Sequence, residues 1–360
     1  MSVPPSTFGI VGGGRRAQFL LRLAHAAPDR LRVGGVVTRS AAAGEAVTER
    51  WGVPSYRTLD ELRAAEPVEF VVAAVSWASM PGVIREAVGA GLPVLSETPP
   101  APDLAGLRSL WSDVGATGLV QVAEQYLLMP GHAARLTLVR DGVIGRVTSV
   151  EVASTHLYHA VSMIRGFLGC GLADVVVDAR DFVAPLADPL GFDGWDPAAA
   201  EAPRTTTIAT LDFGDGRYGL YDFVENQWWT PLRARRIVVR GSTGEIVDDT
   251  VTRLVEPTSP VESPLVYRRT GVDMNLEGND LVHISFDGTV VHRNAWVGTR
   301  LSEDDIAVAE MLAAQGAWAR GDGPEPYPLA AACQDHAISL AIQESARTRA
   351  EVRVAAEPWT

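Results

Sequence analysis

Near its amino end the chain reads Phe8-Gly9-Ile10-Val11-Gly12-Gly13-Gly14-Arg15-Arg16-Ala17-Gln18-Phe19. An apolar run enters small residues spaced G-x-G-x-x-A at Gly12, Gly14 and Ala17, and a helical pattern follows at once. Each small residue has a task. Gly12 lets a strand turn sharply, Gly14 lets backbone approach a pyrophosphate, and Ala17 lets the helix lie close to the sheet. A helix beginning near Arg15 then offers free N–H groups and its positive dipole end to phosphates, with Arg15 and Arg16 in the first turn. A second apolar strand over Leu31–Val37 follows, so the loop sits in the strand–helix–strand setting that dinucleotide binding requires.

With 360 residues, two domains are expected: residues 1–125 for the nucleotide and 126–327 for substrate and self-association, with a closing helix over 328–347 packing back on the first. The formal net charge of −13 disfavours nucleic acid and anionic membrane as partners. The start Met1-Ser2-Val3-Pro4-Pro5 has no basic, apolar leader pattern, and no 18-residue apolar run occurs, so a cytoplasmic location is expected. Cys170 and Cys333 stand far apart and are read as buried packing residues rather than a disulfide or zinc site.

The first third alternates strands and helices, the mark of a parallel sheet covered on both faces. Thr58-Leu59-Asp60-Glu61 opens a short helix with a capping box. Phe70–Val75 reads as a buried strand, Pro81 as a first-turn proline, and Gly91 as a helix stop. Further strands are expected over Pro93–Glu97 and Gly118–Ala123, and a helix over Pro130–Arg140. From Arg146 the pattern becomes alternating segments joined by turns at Gly214-Asp215-Gly216, Gly241-Ser242-Thr243-Gly244 and Asp287-Gly288. This predicts one mostly antiparallel sheet of about half a dozen strands, interrupted by a helix near His159–Leu168. Helices return at Glu303–Arg320 and Leu329–Arg347. The fold class is therefore a Rossmann doubly wound domain followed by an open-faced α+β domain.

In this order of features the chain resembles the Gfo/Idh/MocA oxidoreductases, the glucose–fructose oxidoreductase and inositol dehydrogenase family. The resemblance rests on Gly12–Ala17, on Gly91-Leu92-Pro93-Val94-Leu95-Ser96-Glu97-Thr98-Pro99, on Asp141–Val147, on the helix from His159 to Gly169, and on Gln334-Asp335-His336 with Glu344-Ser345-Ala346. It implies that Glu97 and Pro99 keep a backbone turn beneath a nicotinamide and that His159 is the active-site histidine. The family's usual Glu-Lys-Pro is Glu97-Thr98-Pro99 here, and its aspartate four residues before the histidine is Thr155.

The second strand ends Thr38-Arg39-Ser40, about 24 residues past the glycines. Two hydroxyls flanking a guanidinium suit a 2′-phosphate, where an acid would select the free ribose; NADP(H) is expected in preference to NAD(H). Ser76 and Trp77 follow the third strand at the carboxyl edge and are expected to touch the cofactor, Trp77 doing so or packing under a loop. Thr98 can hydrogen-bond a substrate oxygen but cannot supply a proton at neutral pH. His159 and Tyr158 are the candidate proton carriers, with His156, Glu124 and Tyr126 as neighbours that could face the same cleft. His283 and His292 are expected to pair across a hairpin, and His25, His132 and His336 to be structural. Trp228 and Trp229 are read as part of an aromatic sheet face that meets another subunit, with a pocket wall, together with Asn226 and Asp222, as the alternative. No metal-ligand spacing is present.

The expected function is an NADP(H)-dependent oxidoreductase acting on a small carbonyl or alcohol, such as a sugar derivative or secondary metabolite. The alternatives are a non-catalytic NADP-binding sensor and an NAD-dependent glycosidase-type enzyme. The expected partners are a small-molecule substrate and further copies of the chain, as a homodimer or homotetramer formed through the second domain's sheet.

Overall fold

The apolar alternation of the first third builds a six-stranded sheet in a computed structural model that describes residues 4–191, 193–271 and 275–360. Met1 to Val3, on which part of the reading of the chain's start rests, lie outside the described residues. Strand β1 (Ser6–Val11) is followed by α1 (Arg15–Ala26), β2 (Leu31–Val37), α2 (Ala41–Trp51), β3 (Ser55–Tyr56), α3 (Leu59–Ala65), β4 (Phe70–Ala73), α4 (Met80–Gly89), β5 (Val94–Ser96), α5 (Leu104–Val114) and β6 (Val120–Val122). The order is β3-β2-β1-β4-β5-β6 with every pair parallel. This is the doubly wound order, and its direction reverses between β1 and β4, which opens a crevice at their carboxyl ends. Phe8, Ile10, Val71 and Val72 are fully buried, as strands covered on both faces demand. Thr58 caps α3, its hydroxyl accepting from the Glu61 amide at 3.1 Å, while Glu61 reaches back to the Arg57 amide.

Helix α6 (Pro130–Arg140) leads into the second domain, whose elements are β7 (Val147–Ala153), α7 (Leu157–Leu168), β8 (Val175–Ala187), a small hairpin of β9 (Leu190–Gly191) and β10 (Gly194–Trp195), β11 (Glu201–Asp212), β12 (Tyr218–Val224), β13 (Arg236–Gly241), β14 (Gly244–Val247), β15 (Thr250–Glu256) and β16 (Ser259–Pro264). Then come β17 (Val266–Thr270), β18 (Asp280–Phe286), β19 (Thr289–Arg293), α8 (Glu303–Ala319), α9 (Leu329–Thr348) and β20 (Val352–Val354). The expectation of about six strands is corrected. Nine form one sheet, β16-β15-β14-β13-β7-β12-β11-β8-β20, antiparallel except for β12 beside β7, and β17-β18-β19 form a second. The added strands lie at the edges, where one-sided patterning fades: β16 is Ser259-Pro260-Val261-Glu262-Ser263-Pro264, with prolines that only an edge tolerates.

One face of the large sheet is covered by α7 and α9, which bury Val150, Val152, Ala209, Leu211 and Tyr221. Its other face carries an ion network, Glu151 with Arg236 and Arg240, beside the exposed Phe182 and Ile208. Trp228 and Trp229 are not on that face; they lie in the turn after β12, which corrects the aromatic-face reading. Helix α8 packs against β1, β2 and β4, and α9 lies between α7 and β8 on one side and α5 and β6 on the other. His283 stands opposite Arg293, and His292 opposite Ile284, so the two histidines are offset rather than paired. Cys170 and Cys333 are buried free thiols.

Candidate active site

The glycine loop comes first in the site, as it does in the chain. Gly12 has φ +122°, and a Cβ there would stand 2.2 Å from the Ala74 carbonyl oxygen, so the loop turns hard against the strand beside it. Gly14 precedes α1 with no side-chain cap, and a Cβ on it would meet nothing within 4 Å. The first-turn amides therefore open onto a cavity of about 870 Å³ at the carboxyl edge of the sheet, with Arg15 and Arg16 at its rim. Uncapped helix amides behind a glycine that leaves open space before them fit a dinucleotide pyrophosphate. Ala17 is wholly buried and does not reach the cavity. Its contribution is the close approach of helix to sheet, so its place among the cofactor contacts is corrected.

Thr38, Arg39 and Ser40 line the same cavity. The Thr38 hydroxyl turns inward and donates to the Ser40 carbonyl at 3.0 Å, and Ser40 caps α2, so neither hydroxyl is fully free. The Arg39 side chain is exposed at the cavity. A second guanidinium joins it: Arg57 donates to the Thr38 carbonyl at 2.6 Å and also to the Arg39 carbonyl. Arg57 escaped the sequence reading because it stands alone after a two-residue strand, and only its place after β3 could have pointed to it. Ser76 bonds Ser79 at 3.1 Å, and Trp77 is half exposed at the lip, so it does not pack under a loop.

At the deep end Glu97 accepts from Arg16 Nε at 2.6 Å, tying the loop to the strand that carries Thr98. His159, on α7, is buried, and its Nδ1 donates to Glu124 Oε2 at 2.6 Å. A carboxylate only accepts, so the proton sits on Nδ1 and Nε2 is the nitrogen left for the cavity that His159 lines. The ring of Tyr126 packs 4.5 Å from that of His159. Burial pushes the Tyr126 phenol up to about 12, and burial, reinforced by His159, pushes His156 down to about 3. Helix α7 begins at Leu157 with φ +40°, a strained conformation for a large side chain, and the Leu157 amide donates to the Tyr221 hydroxyl at 3.2 Å. That junction sets the positions of His156 and His159.

Tyr158 is corrected as a proton carrier. It is buried behind Thr98, with Pro99, Glu124, Asp335 and His336 around a small void, and burial holds its phenol well above its ordinary pKa. Pro99 lies on this void rather than on the cofactor cavity, whereas Thr98 lines both.

A second cavity of about 800 Å³ meets the first at Gln125. Tyr126, Trp228, Trp229 and Tyr267 give it aromatic walls. His132 lines it as well, which corrects its purely structural assignment, and burial and Arg135 push that imidazole down to about 3. Asn226 instead donates to Asp188, and Asp222 faces Arg236 on the open sheet. No cluster of metal-ligating side chains occurs among the described residues. No helix among them is long and apolar enough to cross a membrane.

Residues 6–124 match the GFO_IDH_MocA family model, described as an oxidoreductase family with an NAD-binding Rossmann fold. No curated protein sequence matches the chain. Among solved structures, it is similar to a myo-inositol dehydrogenase from Corynebacterium glutamicum ATCC 13032, with 18% identity, 98% of this chain and 99% of that one covered, and a TM-score of 0.66. It is also similar to the WlbA dehydrogenase from Bordetella pertussis in complex with NADH and UDP-GlcNAcA (17%, 99% and 99%, 0.65). A third similar structure is GenD2 from gentamicin A biosynthesis in complex with NAD (21%, 99% and 98%, 0.64). At these identities the likeness is one of fold, and it extends through both domains.

Proposed function

We propose, on the premise that the chain belongs to the Gfo/Idh/MocA oxidoreductase family through its NAD-binding Rossmann domain, that it is an NADP(H)-dependent oxidoreductase of a sugar-like alcohol or ketone. The observation that carries this reading is the Glu124–His159 pair, whose imidazole lines a dinucleotide-sized cavity that meets a polar, aromatic-walled one at Gln125. When bound, the nicotinamide supplies the hydride acceptor or donor. Gly12, Gly14 and the first turn of α1 would hold the pyrophosphate. Arg39 and Arg57 would bind a 2′-phosphate, and Glu97 with Thr98 would border the nicotinamide.

The family lysine's position is occupied by Thr98, which has no titratable group to offer. His159 fills that need. Its Nε2 takes the hydroxyl proton during oxidation and returns it during reduction, while Glu124 fixes the tautomer and offsets the imidazolium charge. Thr98 donates or accepts one hydrogen bond at the reacting oxygen. A non-catalytic binder would have no need of a buried carboxylate–imidazole pair aimed at the cavity, and this favours the enzyme. The test is NADP⁺ reduction over a panel of cyclic polyols and sugars, with His159→Asn as the control. A loss of about 10²–10⁴ in turnover, with NADPH affinity within about twofold, is expected. Unchanged turnover by His159→Asn would refute the assignment.

A further inference from the structure

The cofactor cavity and the second cavity share one side chain that the proposed mechanism leaves idle. Among the described residues Gln125 alone lines both cavities, and it is only 8% exposed. Its carboxamide has no hydrogen-bond partner among them, yet neither the oxygen nor the nitrogen is sealed off from accessible space. A buried side-chain amide is ordinarily paired, so one left open in a cavity wall calls for a ligand.

The backbone that carries Gln125 is fixed. The residue opens a single 3₁₀ turn over Tyr126–Leu128, and its carbonyl accepts from the Leu128 amide at 2.9 Å. Glu124 braces the same turn: its Oε1 accepts from the Tyr126 amide at 3.2 Å while its Oε2 accepts from His159 at 2.6 Å. One carboxylate thus sets both the imidazole and the turn, and the Tyr126 ring packs 4.5 Å from that imidazole. Gln125 stands in sequence between these two neighbours of His159, where one cavity opens into the other. In the oxidoreductase reading the reacting carbon lies at His159 in the first cavity, and the rest of the substrate lies in the second. The group that meets Gln125 is then the substituent on the next carbon.

We infer that Gln125 is the specificity-determining residue for a hydroxyl vicinal to the reacting carbon, so that the site selects 1,2-diols over lone alcohols. A hydroxyl donates and accepts at once, and a carboxamide answers both, accepting at Oε1 and donating from Nε2. A methylene in that place leaves both amide atoms unpaired once the substrate has displaced water, and a site built to bond a hydroxyl discriminates against its absence. The inference rests on the oxidoreductase reading for the location of the substrate. The test is NADP⁺ reduction by trans-1,2-cyclohexanediol, cis-1,2-cyclohexanediol, 1,4-cyclohexanediol and cyclohexanol, run beside the polyol panel. The better 1,2-diol should exceed the 1,4-diol and cyclohexanol roughly ten- to hundredfold in kcat/KM. Gln125→Met, close in volume but without the amide, should bring that ratio to within about threefold of one through loss on the 1,2-diol, with NADPH affinity held within about twofold. Equal use of 1,2- and 1,4-diols by the wild type overturns the inference, as does a preference that survives in Gln125→Met. A Gln125→Met loss shared equally by cyclohexanol makes the residue structural, and a loss of NADPH affinity assigns its amide to the nicotinamide; either result overturns the inference. Oxidation of panel polyols without oxidation of either 1,2-diol overturns it too. Absence of NADP⁺ reduction by every alcohol tried would instead defeat the oxidoreductase reading itself.

Discussion

Replacing Glu124 by Gln changes one oxygen for an NH₂ at a short, buried contact of the site. The wild-type bond is 2.6 Å long, buried, and runs from His159 Nδ1 to a carboxylate. A charge-assisted hydrogen bond is worth about 1.5–3 kcal/mol and a neutral one about 0.5–1.5. Loss of the charge alone therefore removes about 1–1.5 kcal/mol from the protonated imidazole, or roughly five- to tenfold in rate. A second effect adds to it. The amide can donate to Nδ1, which moves the ring proton to Nε2 and takes away the lone pair that accepts the hydroxyl proton. Together these give an expected fall of about 10²–10³ in kcat, within the span of general acid–base catalysis. Because Glu124 touches neither the loop nor the 2′ end, KM and NADPH affinity should stay within about twofold. Steady-state kinetics on the best substrate of the polyol panel, with a fluorescence titration of NADPH, provides the assay. A kcat within threefold of wild type would refute the positioning role. So would an activity loss that merely tracks a large drop in thermal stability, since the pair would then be structural.

Four further outcomes are expected. Arg39→Ala should weaken NADPH roughly ten- to hundredfold and leave NADH nearly unchanged, and equal loss of both in a fluorescence titration would remove the 2′-phosphate assignment. Gly12→Ala should abolish NADPH binding and lower thermal stability, since its Cβ has no room beside the Ala74 carbonyl and its φ is positive; intact binding would show that the loop yields. His132 and His156, both held down to about 3 against an ordinary 6.5, leave the unfolded chain binding more protons between those values. Their stability contribution is thus full above pH 6.5 and lost as pH falls, by at most about 1.4 kcal/mol per pH unit each; urea melts should show a shallower acid slope in His132→Gln, and an unchanged slope would sink this account. The uncovered sheet face with Phe182 and Ile208 should associate two copies of the chain, so light scattering should give at least a dimer, and a clean 38.4 kDa monomer at micromolar concentration would refute it.

What the sequence made legible was local. The glycine spacing placed the β1–α1 turn, and the apolar runs placed β2 and α6 with the bounds the structure shows, because propensity and burial agree there. Less legible were features made by residues distant in the chain. Glu124 and His159 are 35 positions apart, and nothing in either neighbourhood marks them as a pair until β6 and α7 bring them together. The same holds for Arg57 at the cofactor rim, whereas Trp228 and Trp229 followed the alternative reading of a pocket wall rather than the sheet face, because a turn carries them there. The edge strands β16 and β20 left little to read, since two prolines interrupt the first and the second is only three residues long.

Thr98, where the family that the chain resembles usually carries lysine, looks different once these distant contacts are in view. A lysine at position 98 would bring a positive charge beside His159, and that charge would disfavour the protonated imidazole that alcohol oxidation must form. With Thr98 there instead, backed by the buried Tyr158, the loop after β5 adds no charge, and Glu124 is the carboxylate bonded to the His159 ring. In the mechanism proposed above, Thr98 and Glu124 would belong to one arrangement, with the acid–base work on α7 rather than on the loop after β5. The consequence can be measured. Thr98→Ala should lower turnover only about tenfold, as the loss of one neutral hydrogen bond would. Thr98→Lys should not raise turnover above wild type, because the restored amine would face an imidazole already held by Glu124. A Thr98→Lys enzyme faster than wild type, with Glu124→Gln harmless in that background, would show that the lysine mechanism still operates in this fold and that His159 is not the proton carrier.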